Sequence, residues 1–178
     1  MERGLRVVRA EPSHVSELAD VAARTFPLAC PPSVGPDDVA AFVAENLSRP
    51  RFDAYLADPH RAVLVAVDDG RILGYAMMIR GVPDDPDVSQ AVVARPALEL
   101  SKMYVVPESH GGGVSAALMT AALEHATTLP VASVWLGVNQ RNARAQRFYA
   151  KYGFTVTGTK TFRLGEHYEQ DYVMVRPV

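Results

Sequence analysis

The chain has 178 residues, a formal net charge of −2 and a single cysteine, Cys30. This length fits one domain over residues 1–178, and the near-neutral charge gives no electrostatic reason to expect nucleic acid or an anionic membrane as a partner. There is no apolar run of membrane-spanning length, no signal-peptide core in the first residues, and no second cysteine for an internal disulfide, so we expect a cytoplasmic protein.

The first third of the chain predicts one strand followed by helices. Residues 5–10 alternate between apolar and basic side chains, as a half-buried strand does. Ser13 is a candidate N-cap for a helix that ends near Phe26-Pro27. A second helix is expected from about Asp37, and residues 52–56 favour a further helical turn. The residues predicted to break the chain into a loop between the two helices are Pro27, Pro31, Pro32, Gly35 and Pro36.

The middle of the chain contains the clearest hairpin. Residues 62–67 and 72–79 are rich in strand-forming side chains, and Asp69-Gly70 between them favours a tight primed turn. Residues 81–96 follow with several prolines and aspartates, which predict a polar loop.

The stretch 98–122 is the feature around which the rest of the chain is arranged. It begins as an apolar strand that ends at Pro107, and a helix without a breaker follows. Between them, Gly111, Gly112 and Gly113 allow tight backbone geometry, so that several N–H groups can point at one spot. Because the helix brings its own free N–H groups and positive dipole end to the same place, this loop is typical of a phosphate receptor.

The last third predicts an apolar strand at 131–138, a helix at 142–152 and an antiparallel pair at 154–162 and 168–175. Gly153 is a good helix terminator, and Gly165 suits the turn of the final pair. The order of elements favours a mixed α+β sheet over an alternating doubly wound one.

The glycine loop also satisfies a second pattern. Residues 111–116 fit G-x-G-x-x-G/A, the fingerprint of dinucleotide-binding folds. Such a fold places an Asp or Glu after the next strand to hold a ribose, whereas Asn139, Gln140 and Arg141 stand there. The hairpins on both sides also fit that fold poorly, so a different phosphate-bearing ligand is favoured.

Two motifs resemble the GNAT superfamily of acetyl-CoA-dependent N-acetyltransferases. Val105-Val106-Pro107 precedes the run HGGGVS at 110–115, which is similar to the family's Arg/Gln-x-x-Gly-x-Gly/Ala with His110 first and Ser115 last. The run NARAQRFYAKYGF at 142–154 resembles Asn-x-x-Ala-x-x-Phe-Tyr-x-x-x-Gly-Phe. The resemblance covers nearly the whole chain and implies a GNAT fold: α+β, with a mixed, mostly antiparallel central sheet, splayed parallel strands and flanking helices.

The resemblance further implies that acetyl-CoA is the cofactor. The residues expected to bind it are Met103, Tyr104, Val105, His110, Gly111, Gly112, Gly113, Val114, Ser115, Asn142, Ala145 and Phe148. Asn142 would hold the pantetheine arm through its amide, a role compatible with capping the helix that follows. No metal is expected, because the histidines show no metal-ligand spacing.

Two residues carry the expected catalysis. An alkyl amine with a pKa of about 10 must lose its proton before it attacks a thioester. Glu99 matches the position of a general base in some family members, although it could instead only pair with a cation. Tyr149 matches the family's general acid for the leaving thiolate, although it could be a core aromatic like Phe148. A main-chain N–H of the central strand, at Met103 or Val105, would stabilise the oxyanion.

A closer resemblance concerns the acceptor. The runs at 99–105, 135–138, 162–165 and 170–174 look like bacterial PaiA-type polyamine acetyltransferases, which implies a small-molecule amine such as a polyamine, and a monomer or homodimer. A protein N-terminus, an amino acid or an antibiotic amine remain alternative acceptors. So does an acetyl-CoA-binding sensor without catalysis, suggested by His110 and Ser115. The resemblance also implies that residues 26–36 shape the acceptor pocket.

Overall fold

The computed structural model describes residues 4–178. Its elements in chain order are β1 (Arg6–Arg9), α1 (Val15–Ala29), α2 (Pro36–Asn46), α3 (Arg49–Ala57), β2 (Arg61–Asp68), β3 (Arg71–Arg80), α4 (Pro86–Ala91), β4 (Ala97–Val105), α5 (Val114–Thr127), β5 (Ser133–Asn139), α6 (Ala143–Lys151), β6 (Thr155–Leu164) and β7 (His167–Pro177).

The strands form a seven-stranded sheet in the order β1-β2-β3-β4-β5-β7-β6. Strand β1 pairs antiparallel with β2, and β7 pairs antiparallel with both β5 and β6. Strands β4 and β5 are parallel, with Ala97 opposite Ser133 and Glu99 opposite Trp135. The predicted mixed, mostly antiparallel sheet is therefore confirmed.

Residue contacts divide the chain into two compact units. The first contains the residues up to Met78 and Lys102–Ala122, and the second contains Ile79–Ser101 and Leu123–Val178.

In the first unit, α1 and α2 are held together and to the strands by side chains from their inner faces. Leu18 and Ala22 of α1 are fully buried, and the rings of Phe26 and Phe42 stack with centroids 4.5 Å apart. A carboxylate oxygen of Glu17 accepts a hydrogen bond of 2.8 Å from the main-chain N–H of Ile72 in β3. The α1–α2 pair therefore has a fixed position relative to this end of β3.

The start of α1 differs from the prediction. Ser13 lies in a short 3-10 turn, Pro12–His14, and the N-cap is His14 instead. The main-chain N–H of Glu11 donates to His14 Nδ1 at 2.9 Å, which stabilises the turn that displaces the helix start by one residue.

The end of α1 also differs, because the helix continues through Pro27 to Ala29. Proline has a backbone φ that suits a helix, and in the last turn it removes only one donor. The main-chain N–H of Cys30 then donates to Pro27 O at 3.3 Å and closes the helix.

The hairpin of β2 and β3 confirms the primed turn. Asp69 has φ of 51° and Gly70 has φ of 74°. Positive φ at both central residues is the requirement of a type I′ turn, which the pair Asp-Gly meets at low cost.

In the second unit, the predicted polar loop at 81–96 is wrong over Pro86–Ala91, which forms α4. The Asp85 side chain caps the helix by accepting from the main-chain N–H of Asp87 at 2.9 Å. Val88 and Ala91 are buried in one cluster with Trp135. The aspartates and prolines led to the prediction of a loop, although the buried residues Val88 and Ala91 form one apolar side of a short helix that packs on the sheet.

The register of the second unit shows which side chains share a face of its strands. Glu99 lies opposite Trp135, and Trp135 lies opposite Val175. Because side chains alternate along a strand, this face also carries, among others, Ala97, Gly137, Asn139, Val173, Asp171, Glu169, Lys160 and Phe162. Buried Trp135, Ala97 and Val173 pack against α4, so this face is apolar beside α4 and polar further along.

Candidate active site

The glycine loop lies between a short 3-10 turn, Pro107–Ser109, and α5. Gly111 has φ of 81° and Gly113 has φ of 84°, values that L side chains rarely adopt. No atom lies within 4 Å of where a Cβ at either position would be. The loop is therefore shaped by its glycines and leaves open space beside its backbone.

The first turn of α5 supplies main-chain donors to that space. Ala117 N–H donates to Gly113 O at 3.0 Å, which begins the helical ladder. The N–H groups of residues 113–116 consequently have no acceptor within the helix, and the dipole makes this end positive. Val114 is buried and anchors the turn, while Gly111, Gly112 and Gly113 are exposed. This arrangement fits a diphosphate.

His110 has an internal role in the loop. Its Nε2 lies 3.0 Å from the carbonyl oxygen of Val105, and since a carbonyl only accepts, Nε2 carries the hydrogen. The imidazole thus ties the loop to the end of β4.

The end of β4 is fixed by a close approach to β3. The main-chain N–H of Val106 donates to Leu73 O at 2.9 Å. A Cβ at Gly74 would lie 2.7 Å from Tyr104 O, so only glycine allows this spacing. The Tyr104 ring lies 5.9 Å from the ring of Tyr75, and these contacts hold the segment Met103–Val105 in place.

An exposed ion pair connects α1 with the turn before the glycine loop. Arg24 Nη2 donates to both carboxylate oxygens of Glu108 at 3.0 Å. The pKa of Glu108 is lowered, first by its own main-chain N–H and then by the Arg24 hydrogen bond. Sequence reasoning missed this pair, because nothing local connects residues so far apart in the chain.

A cavity of about 630 Å³ lies beside the same end of α1. Its lining includes Pro27, Cys30, Pro31, Val39 and Val43, from α1, the following loop and α2. Burial raises the pKa of the Cys30 thiol, so this group remains protonated and is a poor nucleophile. Part of the stretch 26–36 thus lines an apolar cavity.

In the second unit, Asn142 is the N-cap of α6. Its Oδ1 accepts from the main-chain N–H of Ala145 at 3.1 Å. Gln146 Nε2 donates to the carbonyl oxygens of Asn139 and Gln140, both at 3.1 Å, and fixes the connection from β5 to α6. Because the cap uses only the oxygen of the amide, the side-chain NH₂ of Asn142 is left for another acceptor.

Tyr149 lies on α6 and is half-buried among aromatic rings. Its ring makes edge contacts with Phe148 and Phe154, at centroid distances of 5.7 and 6.0 Å. Desolvation by burial raises the pKa of Tyr149 to about 12. The phenol is therefore protonated throughout the neutral and mildly alkaline range, as a proton donor must be.

Glu99 lies half-buried in β4, on the face that carries Trp135 and Gly137. Beyond it are polar residues that sequence reasoning missed. Glu169 accepts hydrogen bonds from His167 Nε2 at 2.7 Å and Asn139 Nδ2 at 3.2 Å, and Lys160 Nζ lies 3.6 Å from Asp171 Oδ2. The alternation Glu169-x-Asp171, which places both carboxylates on one face of a strand, was the signal for them.

Within residues 4–178, no three His, Cys, Asp or Glu side chains are placed to hold a metal ion. In the same part of the chain, no helix is both long and apolar enough to cross a membrane.

A glycine loop and helix N-terminus of this geometry are typical of sites that bind a phosphate-bearing ligand. The model of the acetyltransferase (GNAT) family matches residues 22–154. The chain belongs to this family and is an acetyl-CoA-dependent N-acetyltransferase.

A sequence relative supports this assignment, and solved structures share the fold. An uncharacterized N-acetyltransferase of Mycobacterium tuberculosis is 60% identical over 160 residues, covering 90% of this chain and 95% of that protein. The structure of PaiA N-acetyltransferase from Thermoplasma acidophilum in complex with coenzyme A superposes with a TM-score of 0.77 at 16% identity, covering 98% and 99% of the chains. The ribosomal-protein-S18-alanine N-acetyltransferase of Escherichia coli gives 0.70 at 15% identity, covering 98% and 94%. At these identities the structures show that the fold is shared.

Proposed function

We propose that the chain transfers acetyl from acetyl-CoA to a primary amine by direct attack of the amine on the thioester. The observation that carries the proposal is the open loop of Gly111, Gly112 and Gly113 with the donor groups of α5 beside it. In this proposal those main-chain amides hold the diphosphate, with Val114 and Ser115 in the same turn. Asn142, Ala145 and Phe148 of α6 are the proposed contacts of the pantetheine arm. The bound cofactor supplies an activated acetyl group.

Glu99 is the proposed general base. It takes a proton from the substrate ammonium, directly or through one water, and leaves a neutral amine whose nitrogen can form the new C–N bond. Its half-buried position in β4, on the sheet face that also carries Gly137 and Asp171, supports the role.

The central strand and α6 supply the remaining groups. A main-chain N–H at Met103 or Val105 is the proposed donor to the negative charge on the acetyl oxygen, an interaction worth about 3 kcal/mol. As the C–S bond breaks, the Tyr149 hydroxyl gives its proton to the sulfur and recovers one from solvent. The nitrogen of the tetrahedral intermediate releases its second proton to solvent, and solvent also removes the proton held by Glu99. The products are an N-acetylated amine, free CoA thiol and one proton, so atoms and charge balance.

The acceptor is proposed to be a small-molecule primary amine. The resemblance to PaiA-type enzymes makes a polyamine one candidate within this class. The alternative classes are a protein N-terminus, an amino acid or an antibiotic amine.

The experiment is a thiol-release assay with acetyl-CoA and a panel containing pentylamine, cadaverine, spermidine, an alanyl peptide and an aminoglycoside. We expect thiol release with at least one primary amine and none with N,N-dimethylpentylamine, the matched control that cannot form a stable amide. Binding of acetyl-CoA without thiol release for any amine contradicts the proposal and favours a sensor without catalysis.

A further inference from the structure

The second unit contains an internal ion pair on the sheet face that carries Glu99. Lys160 of β6 lies directly opposite Asp171 of β7, with Nζ 3.6 Å from Oδ2. The two side chains are only 17% and 12% exposed. An ion pair so deeply placed costs desolvation energy, and burial raises the pKa of Asp171 although Lys160 opposes that rise.

Gly137 of β5 is what allows the pair to lie where it does. A Cβ at Gly137 would lie 2.5 Å from Lys160 Cε, 3.2 Å from Asp171 Oδ2 and 3.4 Å from Lys160 Nζ. The lysine chain and the carboxylate therefore lie directly over the bare backbone of β5. Any larger residue at Gly137 would displace the ammonium.

This position is close to the proposed base. Glu99 lies opposite Trp135 in the parallel register, and Gly137 is two residues further along β5 on the same face. With a rise of about 3.3 Å per residue and strands about 4.8 Å apart, the Cβ of Glu99 and the Cβ position of Gly137 are about 8 Å apart. The Lys160 ammonium is thus within reach of the charges of an amine held beside Glu99.

The ion pair of Lys160 and Asp171 affects how many positive charges the acceptor amine can carry. Asp171 would otherwise present a carboxylate to a second ammonium of a diamine or polyamine whose first nitrogen lies beside Glu99. Lys160 already occupies that carboxylate, and its positive charge repels another cation.

Resting on the proposed function, we propose that Lys160 is a specificity-determining residue whose ammonium, laid over Gly137 onto Asp171, excludes a second substrate ammonium. The enzyme accordingly prefers primary amines with one positive charge over diamines and polyamines. Among the acceptor classes above, this disfavours polyamines.

The test compares kcat/KM for cadaverine and for pentylamine, which has the same carbon chain and one ammonium. In Lys160→Met the ratio of cadaverine to pentylamine should rise by about tenfold, the size of one charge-assisted hydrogen bond. Lys160→Arg keeps the charge and should keep the wild-type ratio. Lys151→Met removes an exposed lysine from α6 and should also leave it unchanged. Lys160→Gln replaces the Met variant if that protein does not fold.

If Lys160 had only a structural role, its loss would lower kcat/KM for both amines equally. An unchanged cadaverine-to-pentylamine ratio in a folded Lys160→Met or Lys160→Gln enzyme therefore overturns the inference. Thiol release by the same enzyme would still uphold the proposed function. If no amine gives thiol release, the proposed function fails instead. Calorimetric binding of the two amines in the presence of CoA then decides the inference separately. Tighter cadaverine binding by the variant than by wild type supports it, and equal binding overturns it.

Discussion

Tyr149 has a hydroxyl whose protonation is set by its surroundings. The ring lies between Phe148 and Phe154, and desolvation raises its pKa to about 12. In the proposed mechanism this hydroxyl donates its proton to the sulfur as the C–S bond breaks, and solvent returns a proton to the phenol oxygen. A phenylalanine at position 149 would pack against the same rings equally well. Replacing Tyr149 with phenylalanine therefore removes the hydroxyl and its chemistry but keeps the packing of the ring.

Tyr149→Phe should therefore lower kcat by about tenfold or more, within the range of a positioned general acid, and leave the Kd for acetyl-CoA within about twofold. Steady-state kinetics and calorimetry measure the two quantities. Tyr152→Phe is the matched control, since Tyr152 packs on the same Phe148 ring at 5.0 Å. An unchanged kcat in Tyr149→Phe would remove this residue from the mechanism.

The raised pKa of Tyr149 also predicts the alkaline limb of the pH profile. An acid must stay protonated to act, and a group with a pKa of about 12 loses its proton only above that pH. We expect kcat with a saturating amine to show no decline from Tyr149 ionisation up to about pH 10, the usual pKa of a tyrosine. A wild-type decline with an apparent pKa near 10 that is absent from the residual activity of Tyr149→Phe would contradict this assignment.

At the scale of elements, the N-cap residue of α6, Asn142, combines a structural role with a proposed binding role. The Oδ1 of Asn142 caps the helix, and the NH₂ of the same amide is the proposed donor to the cofactor. Aspartate caps a helix about as well as asparagine but has no N–H to donate.

Asn142→Asp should therefore retain the unfolding midpoint and raise the Kd for acetyl-CoA by about tenfold, the value of a lost hydrogen bond. Asn142→Ala should lower stability by about 1 kcal/mol as well, because it removes the cap. Thermal unfolding and calorimetry separate the two effects. If Asn142→Asp binds acetyl-CoA as tightly as wild type, the residue is a cap alone.

The sequence predicted elements best where local pattern and turn chemistry agree, as in the β2–β3 hairpin with Asp69-Gly70 and in α6 before Gly153. It failed where a tertiary contact decides the outcome. Helix α4 forms because Val88 and Ala91 bury against Trp135, which lies far along the chain. Two ion pairs were missed for the same reason. The pair Lys160–Asp171 depends on the order of the strands, and the pair Arg24–Glu108 depends on the placement of α1. No local sequence pattern contains either kind of information.

At the scale of the whole molecule, the family assignment depends on the family model that matches residues 22–154 and on a relative that is 60% identical to this chain. The mixed sheet could be predicted from the order of the elements, and the cofactor class from the resemblance of two motifs to the GNAT superfamily. The proposed preference among amines could not be predicted from the sequence, because it depends on side chains brought together on one face of β4, β5, β6 and β7.

We propose above all that main-chain N–H groups of the glycine loop before α5 hold the diphosphate of coenzyme A. Calorimetric titration of acetyl-CoA into Gly113→Ala tests it most directly, because Gly113 has φ of 84° and a side chain there forces the amides to turn. Gly35→Ala, at φ of −67° and in open space, is the control. We expect the Kd for acetyl-CoA to rise by about tenfold or more in Gly113→Ala alone, the size of one lost charge-assisted hydrogen bond. Equal affinity in a folded Gly113→Ala protein and in wild type would contradict it.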